Sequence, residues 1–227
     1  MNRNYHTYCA ILLAFALILV MCSQFFKDNA SFADARTEKA VYLTFDDGPS
    51  DRVTPKILDV LKEENVKATF FIVGSAAENR KYLIEREVNE GHTVAVHSYS
   101  HRYGEIYSST ENLLNDIDKC NKLIKSVTGN YSDVYRFPGG SYGLSDKLVS
   151  AVKERGIKYV DWNASVRDAE YYSAPPEILY QSAVDTSKGH DTVILLAHDS
   201  TTKTTTAEAL KKIIKYFKSQ NFVFKKF

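Results

Sequence analysis

From residue 40 onward the chain alternates between short apolar runs and amphipathic stretches, and this leaves few folds open. "AVYLTF" (40–45), "ATFFIVG" (68–74) and "HTVAVHS" (92–98) have the composition of buried strands. Between them, "VTPKILDVLKEENV" sets Ile57, Leu58 and Leu61 at helical spacing, and "AENRKYLIEREVNEG" reads as one helix stopped by Gly91. "STENLLNDIDKCNKLIKSVTG" places Leu113, Leu114, Ile117, Leu123 and Ile124 on one broad face, with Ser109 or Thr110 as its cap. "VYRF", "KYVDWN", "TVILLAHD" and "FVFKKF" continue the strands; "SDKLVSAVKERG", "PPEILYQSAV" and "TAEALKKIIKYFKSQ" continue the helices. Strands separated by helices call for a parallel sheet with right-handed crossovers. Seven strand candidates in 227 residues predict an α/β fold, a small or incomplete (β/α)7 barrel, with an open doubly wound sheet as second choice. In both, chemistry gathers at the carboxyl ends of the strands.

The first 35 residues stand outside that pattern. "MNRNYH" has one Arg and no acid, and residues 8–22 carry no charge, as in an export signal. Ala33-Asp34-Ala35 has the small-x-small pattern of a signal-peptidase site, which would release residues 36–227. Read on to Phe26, the apolar run is about 19 residues long, near the ~20 that cross a bilayer as a helix. Cleaved signal and membrane anchor (8–26) both remain open, and either predicts a chain that is secreted, wall-associated or held on the outer membrane face. Met21 before Cys22 is a poor match to a lipoprotein site. Cys120 alone lies in 36–227, so no disulfide is expected there, and its expected role is helix packing. Residues 36–227 fit one domain, expected to be a monomer. A net charge of +1 gives no nucleic-acid footprint.

The polar clusters fall at the predicted strand ends. Asp46-Asp47 end the first, "HSYSH" (97–101) the third, "RFPGG" (136–140) the fourth, "DWNAS" (161–165) the fifth and "LLAHDS" (195–200) the sixth. His97 and His101 are one turn apart if the backbone turns there, a divalent-metal ligand spacing. With an Asp from a neighbouring strand they form a two-imidazole, one-carboxylate set; Zn²⁺ suits it best, and other transition metals bind such sites. One of the paired acids then binds metal while its neighbour takes a proton, the cation offsetting their repulsion. Without the histidines, an Asp-Asp-Gly-Pro turn would be sufficient explanation. Arg136 alone would read as a surface residue and His198 as a structural one; their place on the same rim makes His198 a candidate general acid.

These motifs resemble the polysaccharide deacetylases of carbohydrate esterase family four, the NodB homology domain, over about residues 40–227. "TFDDGPS" and "HSYSH" look like the first two family motifs, "RFPGG" and "LLAHD" like the third and fifth, and "DWNASVRD" is a loose fourth. The resemblance implies a distorted (β/α) barrel of the glycoside hydrolase/deacetylase type that removes acetyl groups from amino sugars with a divalent metal, zinc first and cobalt as an alternative. It implies Asp46 as general base, Arg136 as its charge partner, Asp47, His97 and His101 as metal ligands, and His198 as acid. It further implies a Gly139 N–H for the oxyanion, Leu196 against the acetyl methyl group and Trp162 against a sugar face. The expected substrate is an N-acetylated glycan, peptidoglycan first; chitin oligomers, poly-N-acetylglucosamine, acetylxylan, or glycan binding without turnover are the alternatives. Two departures stand out. Pro138-Gly139 replaces the family's Pro-Tyr pair, and Ser165 takes an acidic place in the fourth motif. Asp168, then Asp161, are the candidates to partner His198.

Overall fold

Strand β1 (Ala40–Asp46) organises the sheet. Its alternate residues Val41, Leu43 and Phe45 are at most 1% exposed and join a core with Ile57, Leu58 and Leu61 of α1 (Thr54–Glu63). Thr44 and Asp46, on the other face by the two-residue period of a strand, are as enclosed but polar. The barrel interior beside β1 is therefore built for charge before any other element arrives.

The computed structural model describes residues 38–171 and 173–227, with Ile18 and Met21. The segment read as signal or anchor, 1–35, otherwise lies outside the described residues, among which no helix is long and apolar enough to cross a membrane. After α1 come β2 (Thr69–Val73), α2 (Gly74–Ala77), α3 (Lys81–Asn89), β3 (Thr93–Ser98), α4 (Tyr103–Ile106), α5 (Thr110–Thr128) and β4 (Val134–Tyr135). α6 (Asp146–Glu154), β5 (Lys158–Tyr159), β6 (Ala164–Ser165), α7 (Pro176–Ser187), β7 (Thr192–His198), α8 (Thr204–Ser219) and β8 (Val223–Lys225) complete the chain. The strand order is β5-β4-β3-β2-β1-β7-β6, with every pairing parallel. β8 pairs with residues 40–42 of β1, and β2 takes residues 44–46 further along. The sheet curls into a half-barrel whose end strands, β5 and β6, do not pair with each other. The incomplete-barrel reading holds over the doubly wound one.

Local signals were legible where they were strong. α5 starts at Ser109, whose hydroxyl accepts the Asn112 N–H at 3.1 Å, and ends at Gly129 with φ +81°. Leu113, Ile117, Cys120, Leu123 and Ile124 are buried; Leu114, expected with them, is only half-buried. Cys120 packs as expected, its thiol pushed up to about 12 by burial.

Two elements differ from expectation. The single helix over 77–91 is broken into α2 and α3 at Arg80, whose φ of −133° is not helical; its side chain donates instead to the Ala76 carbonyl and to Asp51. No Gly or Pro marks the break. The strand expected over 158–163 also splits. Val160 N–H still reaches Tyr135 O on β4, but Asn163 already bonds to β7, its amide side chain accepting from Ile194 N–H and donating to Thr192 O. The segment between them crosses the open side of the half-barrel, and the chain then enters β6, the two-residue strand that brings the number among the described residues to eight.

Candidate active site

The paired acids would face opposite sides of the sheet if β1 ran straight on. Instead Asp47 turns into the left-handed region at φ 74°, and both carboxylates face one imidazole. His97 Nε2 lies 3.4 Å from Asp47 Oδ1 and 4.0 Å from Asp46 Oδ2. His101, also left-handed at φ 56°, brings its Nε2 to 3.1 Å from the same Asp47 oxygen. The His97 Nδ1 lies 2.9 Å from the Arg136 carbonyl, which only accepts, so the proton sits on Nδ1 and the Nε2 lone pair faces Asp47.

These residues fit a divalent cation. One ligand atom from each of Asp47, His97 and His101 lies within 4.8 Å of the other two. Asp47 Oδ1 is buried yet in hydrogen-bonding geometry with no described residue, as three donor atoms converging on a shared point would leave it. Burial on its own would raise the Asp47 carboxyl; with protons on their Nε2 atoms, His101 and His97 more than reverse this and hold it well below the usual carboxylate range, a part that a cation would take in place of those protons.

Asp46 stays outside that set and is held by Arg136. The guanidinium is fully buried, and each of its nitrogens has a partner. Nη1 donates to Asp46 Oδ1 at 2.9 Å and to Thr44 Oγ1 at 2.7 Å; Nε donates to Val160 O at 3.0 Å and Nη2 to Asp161 O at 3.1 Å. Its flat face lies 4.2 Å from the Phe71 ring centre.

His198 ends β7 opposite Asp46, and Asp168 fixes it twice. Asp168 Oδ1 is 2.7 Å from His198 Nδ1, and Oδ2 accepts the His198 N–H at 2.8 Å. Thr206 Oγ1 donates to the same Oδ2 at 2.8 Å. Burial lowers the His198 pKa, but the Asp168 hydrogen bond and charge outweigh it and, with Asp46 and Asp47, carry it up to about 9. Asp161 and Ser165 are occupied elsewhere. Asp161 accepts the Ser141 N–H and hydroxyl, and Ser165 Oγ accepts the Arg167 N–H. Leu196, 6% exposed, lies two residues before His198 on the same face of β7. Gly139 sits against Tyr103, where an added Cβ would meet the ring at 3.0 Å. Trp162 backs Gly140 and lies 5.7 Å from the Arg136 guanidinium.

Two contributors were missed from the sequence. Thr44 is the neutral partner of Arg136, hidden within a run of strand residues. Asp199, 1% exposed, fills the space that Gly48 leaves by lacking a Cβ, and accepts from Thr54 Oγ1 at 2.6 Å. Its backbone N–H donates to Asp46 O at 3.1 Å, which ties the turn after β1 to the end of β7. Burial pushes its carboxyl up to about 7. A glycine two positions after the first acid was the one available signal.

Comparison with known proteins joins this geometry to a family. The polysaccharide deacetylase family model matches residues 33–160. A peptidoglycan-N-acetylglucosamine deacetylase, PgdA, of Listeria monocytogenes is 37% identical over 84% of this chain, which spans 38% of that relative's length. A peptidoglycan-N-acetylglucosamine deacetylase of Bacillus cereus is 32% identical over 82% of this chain and 85% of its own. The catalytic domain of a peptidoglycan N-acetylglucosamine deacetylase from Eubacterium rectale superimposes with a TM-score of 0.78 at 35% identity, covering 85% of this chain and 90% of that one. With the matched region running from the paired acids through both histidines and Arg136, the chain belongs to the polysaccharide deacetylase family.

Proposed function

We propose that the chain hydrolyses the N-acetyl group of N-acetylglucosamine units in a cell-wall polysaccharide, peptidoglycan first, giving acetate and a free amine. The observation that carries this reading is one rim where the Asp47-His97-His101 set meets two charge pairs, Asp46 with Arg136 at 2.9 Å and Asp168 with His198 at 2.7 Å. Asp47, His97 and His101 would hold the cation, Zn²⁺ by its preference for this donor set, with Co²⁺ able to replace it. A cation there supplies Lewis acidity toward the acetamide carbonyl and the attacking water.

The chain's own groups do the rest. Asp46, free of ligation and fixed by Arg136, takes a proton from the water as its oxygen adds to the carbonyl carbon. The Gly139 N–H serves the negative charge that builds on the carbonyl oxygen. His198, protonated at neutral pH, gives its proton to the nitrogen as the C–N bond breaks. Acetate keeps the oxygen from water, and the amine keeps the proton from His198. Leu196 bounds the space for the acetyl methyl group, and Trp162 offers a flat face to the sugar.

Acetate release from N-acetylglucosamine pentamer and from peptidoglycan tests the reading. Release with Zn²⁺ or Co²⁺, abolished by chelator, is expected; none from either glycan overturns it. Faster release from chitin oligomers or acetylxylan than from peptidoglycan would move the substrate and keep the chemistry. Residues 1–35 direct the chain out of the cell on this reading, and the mass of the mature N-terminus reports whether they are removed after Ala35.

A further inference from the structure

We propose that Asp116 sets the geometry of the cation site, as a positioning residue acting through the loop that carries both histidines. The inference rests on reading Asp47, His97 and His101 as ligands, and it assigns what keeps two of the three in place.

His97 belongs to β3, but β3 ends at Ser98 and no sheet hydrogen bond holds the loop up to His101. The chain must still reverse sharply, to a left-handed His101, for both Nε2 atoms to approach Asp47. Packing holds the loop at one residue, Tyr99, whose ring lies against Gly74 and the core and whose carbonyl accepts the Ser75 N–H at 2.9 Å. The loop's outer side faces a groove of about 760 Å³ lined by Ser75, Tyr99, Ser100, Asp116 and Lys119 among others. Tyr99 anchors the loop but does not set the course of Ser98, Ser100 and His101 around it; hydrogen bonds do, and one carboxylate collects most of them.

Asp116 Oδ2 accepts the Ser98 hydroxyl at 2.5 Å and the Tyr99 N–H at 2.7 Å; Oδ1 accepts the Ser100 N–H at 2.9 Å. Ser98 Oγ in turn accepts the His101 N–H at 2.9 Å. Four consecutive residues, 98–101, are thus tied to one side chain. That side chain is itself fixed, because its neighbour Ile117 and the nearby Cys120 are at most 1% exposed and anchor α5 in the core. Only an ionised carboxylate can hold all of these donors, since it accepts with both oxygens and donates with neither. An Asn would keep one acceptor and turn an N–H group toward a donor.

Cobalt binding to the full chain, followed by its visible absorption, tests this without reference to turnover. Asp116→Asn is expected to raise the Co²⁺ Kd about 10–100-fold, the range usual for losing a residue that orients metal ligands. Ser98→Ala, which removes only the arm to His101, is expected to weaken binding in the same direction by less. Ile117→Val lowers the Tm without touching the loop and is expected to leave the Kd unchanged. At cobalt saturating for the variant, the acetate-release kcat of Asp116→Asn is expected to return to within a few-fold of the parent, since Asp116 touches no reacting atom. Parent-like cobalt affinity in both Asp116→Asn and Ser98→Ala overturns the proposal, as does an equal loss of affinity in Ile117→Val. If the parent itself takes up no cobalt, the cation reading falls and this inference falls with it.

Discussion

Asp168 holds His198 by two hydrogen bonds, one to the ring and one to the backbone N–H, so it sets both the tautomer and the ring's direction. It also decides how long the proton stays. A histidine loses its proton as pH rises through its pKa, so a donor raised to about 9 remains loaded across neutral pH. A cation beside Asp47 would offset the share owed to Asp46 and Asp47, leaving Asp168 as the principal cause. In Asp168→Asn, burial acts without that opposing charge and lowers His198. The alkaline limb of the kcat/KM profile is therefore expected to move to lower pH, with activity at pH 8 reduced on the order of 10²-fold. A pH–rate profile with an unmoved alkaline limb would remove His198 from the proton-donor role. The acids differed in how visible they were in the sequence for a physical reason. Asp46 and Asp47 were legible because two adjacent charges at the end of an apolar run need a partner. Asp199 was not, because its place depends on a missing Cβ at Gly48 that only the fold brings opposite it.

Helix α3 shows the same divide at the level of an element. Its helical period was evident, but the face it buries contains Leu83, Ile84 and Glu87, while Val88 is 39% exposed. A pattern that sorts residues by hydropathy would reverse the last two. Neither Glu87 carboxyl oxygen has a hydrogen-bond partner among the described residues, and burial, with Asp199 adding, pushes its pKa well above 4.5. The sign for stability follows. Between pH 4.5 and the folded pKa, the unfolded chain releases a proton that the folded one keeps, so stability falls as pH rises, by at most about 1.4 kcal/mol per pH unit. Glu87→Met fills a similar volume and has no proton to lose. Its Tm is expected to exceed the parent's by more at pH 7.5 than at pH 4.5. Thermal scans showing the variant destabilised equally at both pH values would mean that Glu87 contributes a favourable contact in the core.

Arg136 depends on the whole molecule. It follows β4, yet its partners Thr44 and Asp46 lie on β1, with β3 and β2 between them in the sheet order. With neighbouring strands about 4.8 Å apart, a flat sheet would separate β4 from β1 by roughly 14 Å, so the curl is what closes the pair. The same guanidinium binds the carbonyls of Val160 and Asp161 on the segment that crosses the open side, so one side chain joins three parts of the half-barrel. The pairing with Asp46 was expected only through the family resemblance of "RFPGG"; on its own Arg136 reads as any residue entering a loop, and its bonds to Thr44, Val160 and Asp161 left no mark in the sequence. Strands β4, β5 and β6, two residues each, are too short to show a period that would reveal the sheet's order. Arg136→Met leaves Asp46 buried without a counter-charge and is expected to cost about 3–5 kcal/mol in urea unfolding. Arg136→Lys keeps the charge, but one ammonium cannot span acceptors on both sides of the barrel, so it is expected to recover only part of that loss. Adding Asp46→Asn to Arg136→Met removes the stranded charge, so the double variant is expected to regain stability while acetate release stays lost. If the double variant is no more stable than Arg136→Met, the ion pair is not what couples the curl of the sheet to the placement of the base, and Arg136 acts through its contacts with Thr44, Val160 and Asp161 alone.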